Sequence, residues 1–288
     1  MNLRNLFRLC AFAAVSATAA QAQISTTLKI GKKQYIAGEA IVATVTIVNN
    51  SGGEIKFQGT PRQPWLDFVV KRGTEACTPI AVSNFGTVSI PMGQSAVRQV
   101  NLSSLFNLAE MGNYSVYASV STPGEINQNY ASNRVPFYVV GGRPYWTQKV
   151  GIPGSSKVRE YRILNYAGDQ KTQLFAQVID DRTGMPIRTF ALGDALMFRK
   201  PQIVVDRNRN MHAFFLSTPN LWIHSEVDPE GRLVGSALYQ RGPSSDPTLT
   251  THPDGSVAVA NGIYFDPQAR AEERAKIRKT SDRPQIGR

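Results

Sequence analysis

The sequence predicts an all-β protein in two parts, followed by a short C-terminal helix. Three observations carry this. Runs of β-branched residues alternate with polar ones in the first half, as in Ile41-Val42-Ala43-Thr44-Val45-Thr46-Ile47-Val48, and a period of two marks a strand with one buried face. Turn-forming letters recur at a nearly fixed interval in the second half. Pro201-x-Ile203 with Asp206-x-Asn208-x-x-Met211 returns 46 positions later as Pro247-x-Leu249 with His252-x-Asp254-x-x-Val257, and Leu174-Phe175 with Asp181-x-x-Gly184 returns 47 positions later as Leu221-Trp222 with Asp228-x-x-Gly231. Helix-favouring composition is confined to 267–279, where Ala269, Ala271 and Ala275 stand among charges of both signs.

At 288 residues, 42% of them hydrophobic, the chain suits about two domains with packed cores. Its opening reads as a secretory signal peptide over 1–22: Arg4 and Arg8 precede the apolar run Leu9–Val15, and Ala20-Gln21-Ala22 supplies an A-x-A-like processing site. The run is far shorter than the ~20 apolar residues that span a bilayer. Cleavage after Ala22 and delivery to the periplasm or the extracellular space are expected, with no transmembrane segment in the mature chain. Cys10 leaves with the leader, where Arg8-Leu9 make it a poor lipidation site, and Cys77 is then alone. An exported chain without an internal disulfide must cohere through strand pairing and burial. The formal charge is +11, and the basic tail 268–288 holds seven basic and three acidic residues, or +4. Such an excess attracts polyanions. Export argues against nucleic acid and leaves an envelope polymer, a glycan, a lipid surface or a protein as partner, with the oligomeric state open.

Residues 23–141 form the first expected domain. Ile41, Ala43, Val45 and Ile47 fall on one face of a strand, and Asn49-Asn50-Ser51-Gly52-Gly53 supplies turn chemistry. Glu54–Phe57, Trp65–Lys71, Ala96–Leu102 and Val135–Val140 read as further strands, the last with Pro136 at an edge or a start. The sharpest pattern is Leu108-x-x-x-Gly112-x-Tyr114, opening the alternation Tyr114, Val116, Ala118, Val120. This spacing resembles the tyrosine corner of immunoglobulin-like sandwiches. Val116 stands where an antibody domain has its second cysteine, and Trp65 is a candidate for the strand-C tryptophan. Taken with Tyr35-x-x-Gly38-Glu39, the domain resembles bacterial Ig-like modules of the macroglobulin and BsuPI protease-inhibitor type. The resemblance implies a β-sandwich. It does not imply antiprotease activity, since one sandwich fold hosts many functions.

Gly141-Gly142-Arg143-Pro144 marks a boundary, and 142–267 forms the second expected domain. Its clearest unit holds four short strands: Gln202–Asp206, Met211–Leu216, Leu221–Val227 and Leu233–Tyr239. The recurring letters explain the turns between them, with Asp bonding the backbone and Gly taking a left-handed conformation in a bulged hairpin. Four strands in ~46 residues resemble one blade of a β-propeller. The second domain accommodates about 2.7 such units, whereas ring closure takes at least about four. An open meander, a ring completed by an oligomer and a collapsed sandwich are the alternatives, the open and sandwich forms being preferred. The tail is expected to be helical over 267–279 and disordered from Thr280.

No catalytic residue is assigned. The sequence contains no H-E-x-x-H, G-x-S-x-G, P-loop or glycine-rich dinucleotide fingerprint. Asp206-Arg207-Asn208-Arg209-Asn210 has the 1, 3, 5 spacing of a calcium loop, but Met211 stands at the glycine position and Ser217 at that of the bidentate glutamate. It is expected as a hairpin turn. His212 and His224 fall on neighbouring strands and share a face in only one register, while His252 belongs to another turn, so no metal or cofactor is expected. Carboxylates for glycoside cleavage come from distant segments and leave no local spacing; Asp180, Asp181 and Glu226 are the nearest candidates. Tyr145, Trp146 and Trp222 are the candidate ligand-binding residues, because exposed aromatic rings stack on sugars or anchor a partner.

The expected function is non-catalytic binding or scaffolding at the bacterial envelope. Three alternatives stay open: recognition of carbohydrate or peptide in aid of a separate enzyme, a hydrolase with dispersed carboxylates, and a protease inhibitor acting through a loop of the first domain.

Overall fold

The structure, a computed structural model, describes residues 24–122, 129–167, 171–243 and 245–280. The expected leader, with Arg4, Arg8 and Cys10, and the disorder expected beyond Thr280 lie outside the described residues. Among the described residues the fold is β, apart from a single 3-10 turn at Leu102–Ser104 and one short C-terminal helix. Two compact units divide it. One comprises the described residues up to Lys33, Ile41–Asn107 and Gly112–Tyr138; the other comprises Gln34–Ala40, Leu108–Met111 and those from Val139 onward.

The strands of the first half are β1 (Ile24–Ile30), β2 (Gln34–Ile36), β3 (Val42–Asn49), β4 (Ile55–Phe57), β5 (Leu66–Arg72), β6 (Glu75–Ala76), β7 (Val88–Ile90), β8 (Ser95–Asn101), β9 (Gly112–Ser121), β10 (Asn129–Ala131) and β11 (Val135–Val140). In the first unit one sheet runs β1-β3-β8, a second contains β9, β5 and β6 with β10 on β9, and β4 pairs with β7. The two sheets form layers, β1 lying against β9 and β10. Alternation is observed where the sequence predicts it. Ile41, Ala43, Val45 and Ile47 are at most 1% exposed, and Tyr114, Val116, Ala118 and Val120 are buried on β9. The Tyr114 ring stacks on Phe137 with centroids 5.3 Å apart. Trp65 is buried just before β5, its indole N–H donating to the Gly86 carbonyl at 2.7 Å. Where the layers lack backbone partners, asparagines supply them. Asn133 accepts from the Leu28 N–H at 2.8 Å and donates to its carbonyl at 3.0 Å. Asn49, 1% exposed, donates to the carbonyls of Gly53 and Ile90 and accepts from the N–H and hydroxyl of Ser51.

In the second unit, β12 (Arg143–Gly151), β13 (Val158–Ala167), β14 (Thr172–Asp180) and β15 (Pro186–Ala195) form an antiparallel sheet in up-and-down order. A second such sheet contains β16 (Gln202–Val205), β17 (Met211–Thr218), β18 (Leu221–Val227) and β19 (Leu233–Arg241), close to the four strands expected there. β20 (Thr248–Thr251) pairs with β21 (Val257–Ala260), and β22 (Gly262–Phe265) extends the second sheet beside β19. Four-stranded meanders of this kind give the unit its propeller-like sheet arrangement. Helix α1 (Pro267–Thr280) starts at Asp266, whose Oδ1 accepts from the Gln268 N–H at 2.8 Å, with Pro267 at the first helical position.

The inner faces of the two meanders share one core: Val150, Tyr161, Ile163, Leu174, Ala176 and Val178 on one side, Met211, Ala213, Phe215 and Val227 on the other. The opposite face of each is covered as well. Leu164 and Phe175 pack with Ile36, and Phe214, Leu216 and Trp222 pack with Leu249 and Val259 of β20–β21. The central strands β14 and β17 are therefore buried on both faces, over Leu174–Ile179 and Met211–Leu216 respectively.

The repeat of 46 is written in the turns. The Asp206 N–H donates to the Asn210 carbonyl and the Arg209 N–H to the Asp206 carbonyl; one repeat later the His252 N–H donates to Ser256 and the Gly255 N–H to His252. The third turn position is left-handed in both, at φ 68 for Arg209 and 77 for Gly255. The repeat of 47 is offset by one residue from the sequence alignment. Asp228 Oδ1 accepts from the N–H groups of Glu230 and Arg232, and its counterpart is Asp180, which accepts from Arg182 and Thr183, rather than Asp181.

Asn49→Ala is expected to lower unfolding stability by about 2–3 kcal/mol, because two carbonyls lose their donor in a buried setting. Ser51→Ala should cost less than half as much. Urea denaturation of the two variants checks the pair.

Candidate functional site

The register of β17 on β18 sets His212 opposite Glu226, Phe214 opposite His224 and Leu216 opposite Trp222. All six side chains stand on one face, the face turned toward β20–β21, because residues two apart on a strand share a side. One end of this face is polar and the other aromatic.

At the polar end, the turn after β16 contributes Asp206. Donor atoms of Asp206, His212 and Glu226 all lie within 4.8 Å of one another. Asn210, the last residue of the turn, holds both acids: its backbone N–H donates to Asp206 Oδ1 and its side-chain amide to Glu226 Oε1, each at 2.7 Å. His212 is 4% exposed. Its Nδ1 meets His224 Nε2 at 3.0 Å, and the two rings stack with centroids 5.2 Å apart. Burial first, and the neighbouring His212 ring second, push the His224 imidazole down to about 4, so His224 is neutral near pH 7. Phe214 and Tyr239 complete its surroundings through edge and tilted ring contacts.

At the aromatic end, Phe214, Leu216 and Trp222 floor a cleft of about 170 Å³, rimmed by Arg199, Lys200, Gln202, Asp246 and Thr248. Asp246 forms ion pairs with Arg199 and, at 3.2 Å, with Arg241. Gln202 Oε1 accepts from the Leu249 N–H at 2.8 Å, which fixes β20 beside the second sheet.

The three aromatic candidates from the sequence are not brought together. Tyr145 and Trp146 pack against the core shared by the two meanders, the Tyr145 hydroxyl donating to the Pro201 carbonyl at 3.3 Å. Trp222 belongs to the cluster on the opposite face of the second sheet, is 7% exposed and lines the cleft. The carboxylate candidates also separate. Asp180 pairs with Arg159 at 2.8 Å, its carboxyl held below the usual range mainly by the Thr183 backbone N–H, and Asp181 pairs with Lys149 at 2.7 Å. Glu226 alone joins a cluster, and its partners are Asp206, which the sequence places in a hairpin turn, and His212, which the sequence sets beside His224 on a neighbouring strand. Among the described residues, no helix is long and apolar enough to cross a membrane.

Trp222→Ala should cost about 3–5 kcal/mol, the range for deleting a large buried ring. Trp146→Ala, at a half-buried position, should cost less. Denaturant midpoints of the two variants make the comparison.

No family model matches the chain, and no curated protein matches it. Among solved structures, the chain is similar to Spo0M, a sporulation control protein from Bacillus subtilis, at a TM-score of 0.29 and 10% identity over 60% of this chain and 91% of that one. It is also similar to a beta-glucosidase from Listeria innocua in complex with glucose, at a TM-score of 0.26 and 16% identity over 41% of this chain and 16% of that one. Likenesses this slight carry no argument about function.

Proposed function

We propose that the protein is an exported, non-catalytic binding protein of the bacterial envelope whose ligand surface is the cleft beside Trp222. The composition of that cleft carries the reading: an apolar floor of Phe214, Leu216 and Trp222 under a rim bearing Arg199 and Lys200. A recess with an apolar body and a few charged groups orients a ligand, and guanidinium and ammonium groups select carboxylate or phosphate. Asp246 offsets part of this charge, yet Arg199, Lys200 and Arg241 outnumber it, in keeping with the chain's +11. The ligand class is an acidic stretch of glycan or peptide.

The leader-like opening and the lone Cys77 support export. In the first unit, the buried Tyr114 and Trp65 support an Ig-like module serving as spacer or docking platform. Hydrolysis is the weaker reading, since Arg159, Lys149 and Asn210 already engage Asp180, Asp181 and Glu226.

Calorimetric titration with polygalacturonate, polyglutamate and neutral dextran tests the cleft. An anionic polymer should bind and dextran should not, and Arg199→Glu with Lys200→Glu should weaken binding at least about tenfold, since each lost charge-assisted contact is worth roughly 1.5–3 kcal/mol. Equal affinity in the double variant overturns the reading. Cell fractionation tests export: a shortened chain outside the cytoplasm is expected, and an intact chain confined to the cytoplasm overturns it.

A further inference from the structure

Two carboxylates and an imidazole meet where the β16–β17 turn, the start of β17 and the end of β18 converge. Asp206 and His212 are buried, at 8% and 4% exposure, and Glu226 is half-buried. Two converging carboxylates alone would say little, but the imidazole adds an independent sign. Among the described residues, Nε2 of His212 has no hydrogen-bond partner, although it faces Asp206 Oδ2 at 3.4 Å. A charge-assisted N–H···O bond would close to about 2.7–2.9 Å. A lone pair directed at a carboxylate would be repelled. A separation of 3.4 Å fits a third arrangement, because two ligands at about 2.0–2.1 Å from one tetrahedral zinc ion stand about 3.3–3.4 Å apart.

The surrounding bonds suit the same arrangement. With the shared proton on Nδ1 of His212, its bond to His224 leaves Nε2 with the lone pair a metal needs, and an outer partner of this kind commonly fixes the tautomer of a ligating histidine. Asn210 occupies one oxygen of each acid and so orients the second. Charge also balances, since two carboxylates and a neutral imidazole around a divalent cation sum to zero, which lightens the cost of burying the acids.

We propose that Asp206, His212 and Glu226 form a binding site for a divalent transition metal, zinc foremost, that clips the β16–β17 turn to β17 and β18. One nitrogen and two carboxylate oxygens suit zinc. The set lacks the thiolates that soft ions prefer and the six or more oxygens that calcium takes. Gathering the donors onto one ion at ~2.0–2.2 Å takes side-chain shifts of about 1 Å. A water completes the four-coordinate shell, and the bound ion acts as a cross-link in a unit whose sequence contains no cysteine. None of the three residues lines the cleft beside Trp222, so the site stands independently of the ligand reading.

The full chain, stripped with a chelator and titrated with Zn²⁺ against a chromophoric competitor, should take up one equivalent with submicromolar affinity. Its thermal midpoint should rise with excess zinc. Co²⁺ in place of Zn²⁺ should give the intense visible bands of a four-coordinate ion. Because His212 lies in the core, the decisive variants are Glu226→Gln and Asp206→Asn, which keep side-chain size and can still accept from Asn210. Each should weaken zinc at least about thirtyfold, as expected for loss of a ligand where outer-shell changes alone cost 10–100-fold, while the metal-free chain keeps its thermal midpoint. His252→Gln, at the exposed equivalent turn, should leave affinity within about twofold. Absence of stoichiometric binding, unchanged affinity in both acid variants, loss of binding in His252→Gln, or weak six-coordinate Co²⁺ bands overturns the proposal and leaves the cluster a buried polar contact without a metal.

Discussion

A strand packed on both faces has no side on which a polar residue can reach water, and β17 is such a strand. Met211, Ala213 and Phe215 face the core shared with the first meander, while Phe214 and Leu216 face β20–β21. Each large side chain fully buried in this way contributes about 1.5–3 kcal/mol, and the second unit has no cystine to supplement that sum. His212 is the exception within the run, so its ring nitrogens must be served from inside the protein. The His224 ring meets that need at Nδ1, while Nε2 faces Asp206 Oδ2 at 3.4 Å without a hydrogen bond and Asn210 holds the two acids.

The polar cluster in turn depends on the apolar core for its alignment. Tyr161, 0% exposed, lies in the shared core and donates its hydroxyl proton to the Arg209 carbonyl at 2.7 Å. Burial, with the nearby acids Asp228, Glu230 and Asp206 adding to it, pushes the Tyr161 phenol upward, so it remains a donor. That single bond from the first sheet steadies a turn whose third residue sits at φ 68 without being glycine. The Asp206–Asn210 turn is thus held in part by a phenol in the opposite sheet, together with the Arg207 N–H bond to the Gly255 carbonyl.

What could be read in advance follows from these constraints. Strands with one wet face, such as β3 and β9, announce themselves by alternation, and the four strands of the second meander follow from the turn letters between them. Doubly buried β17 shows no alternation, so its apolar run reveals a strand without revealing which face His212 occupies. Register settles that question, and it pairs His212 with Glu226 rather than with His224, a fact carried by cross-strand geometry and not by spacing along the chain. The one-residue slip between Asp180 and Asp181 has a similar cause: the turn after β14 is longer than the one after β18, so matching letters are not matching positions. Tyr145, Trp146 and Trp222 share a residue type, which says nothing about the different faces on which they pack.

The turn shared by Asp206–Asn210 and His252–Ser256 has one more consequence. Counted at the same interval, the counterpart of His212 is Ala258 and that of Asp206 is His252, yet the backbone bonds of the two turns agree. The two hairpins therefore share a path while their inner side chains differ, one gathering two acids and an imidazole and the other carrying His252 and Ala258 at the matching positions. The path of such a hairpin is set by its main-chain hydrogen bonds and one left-handed residue, so its inward side chains can differ without moving the backbone.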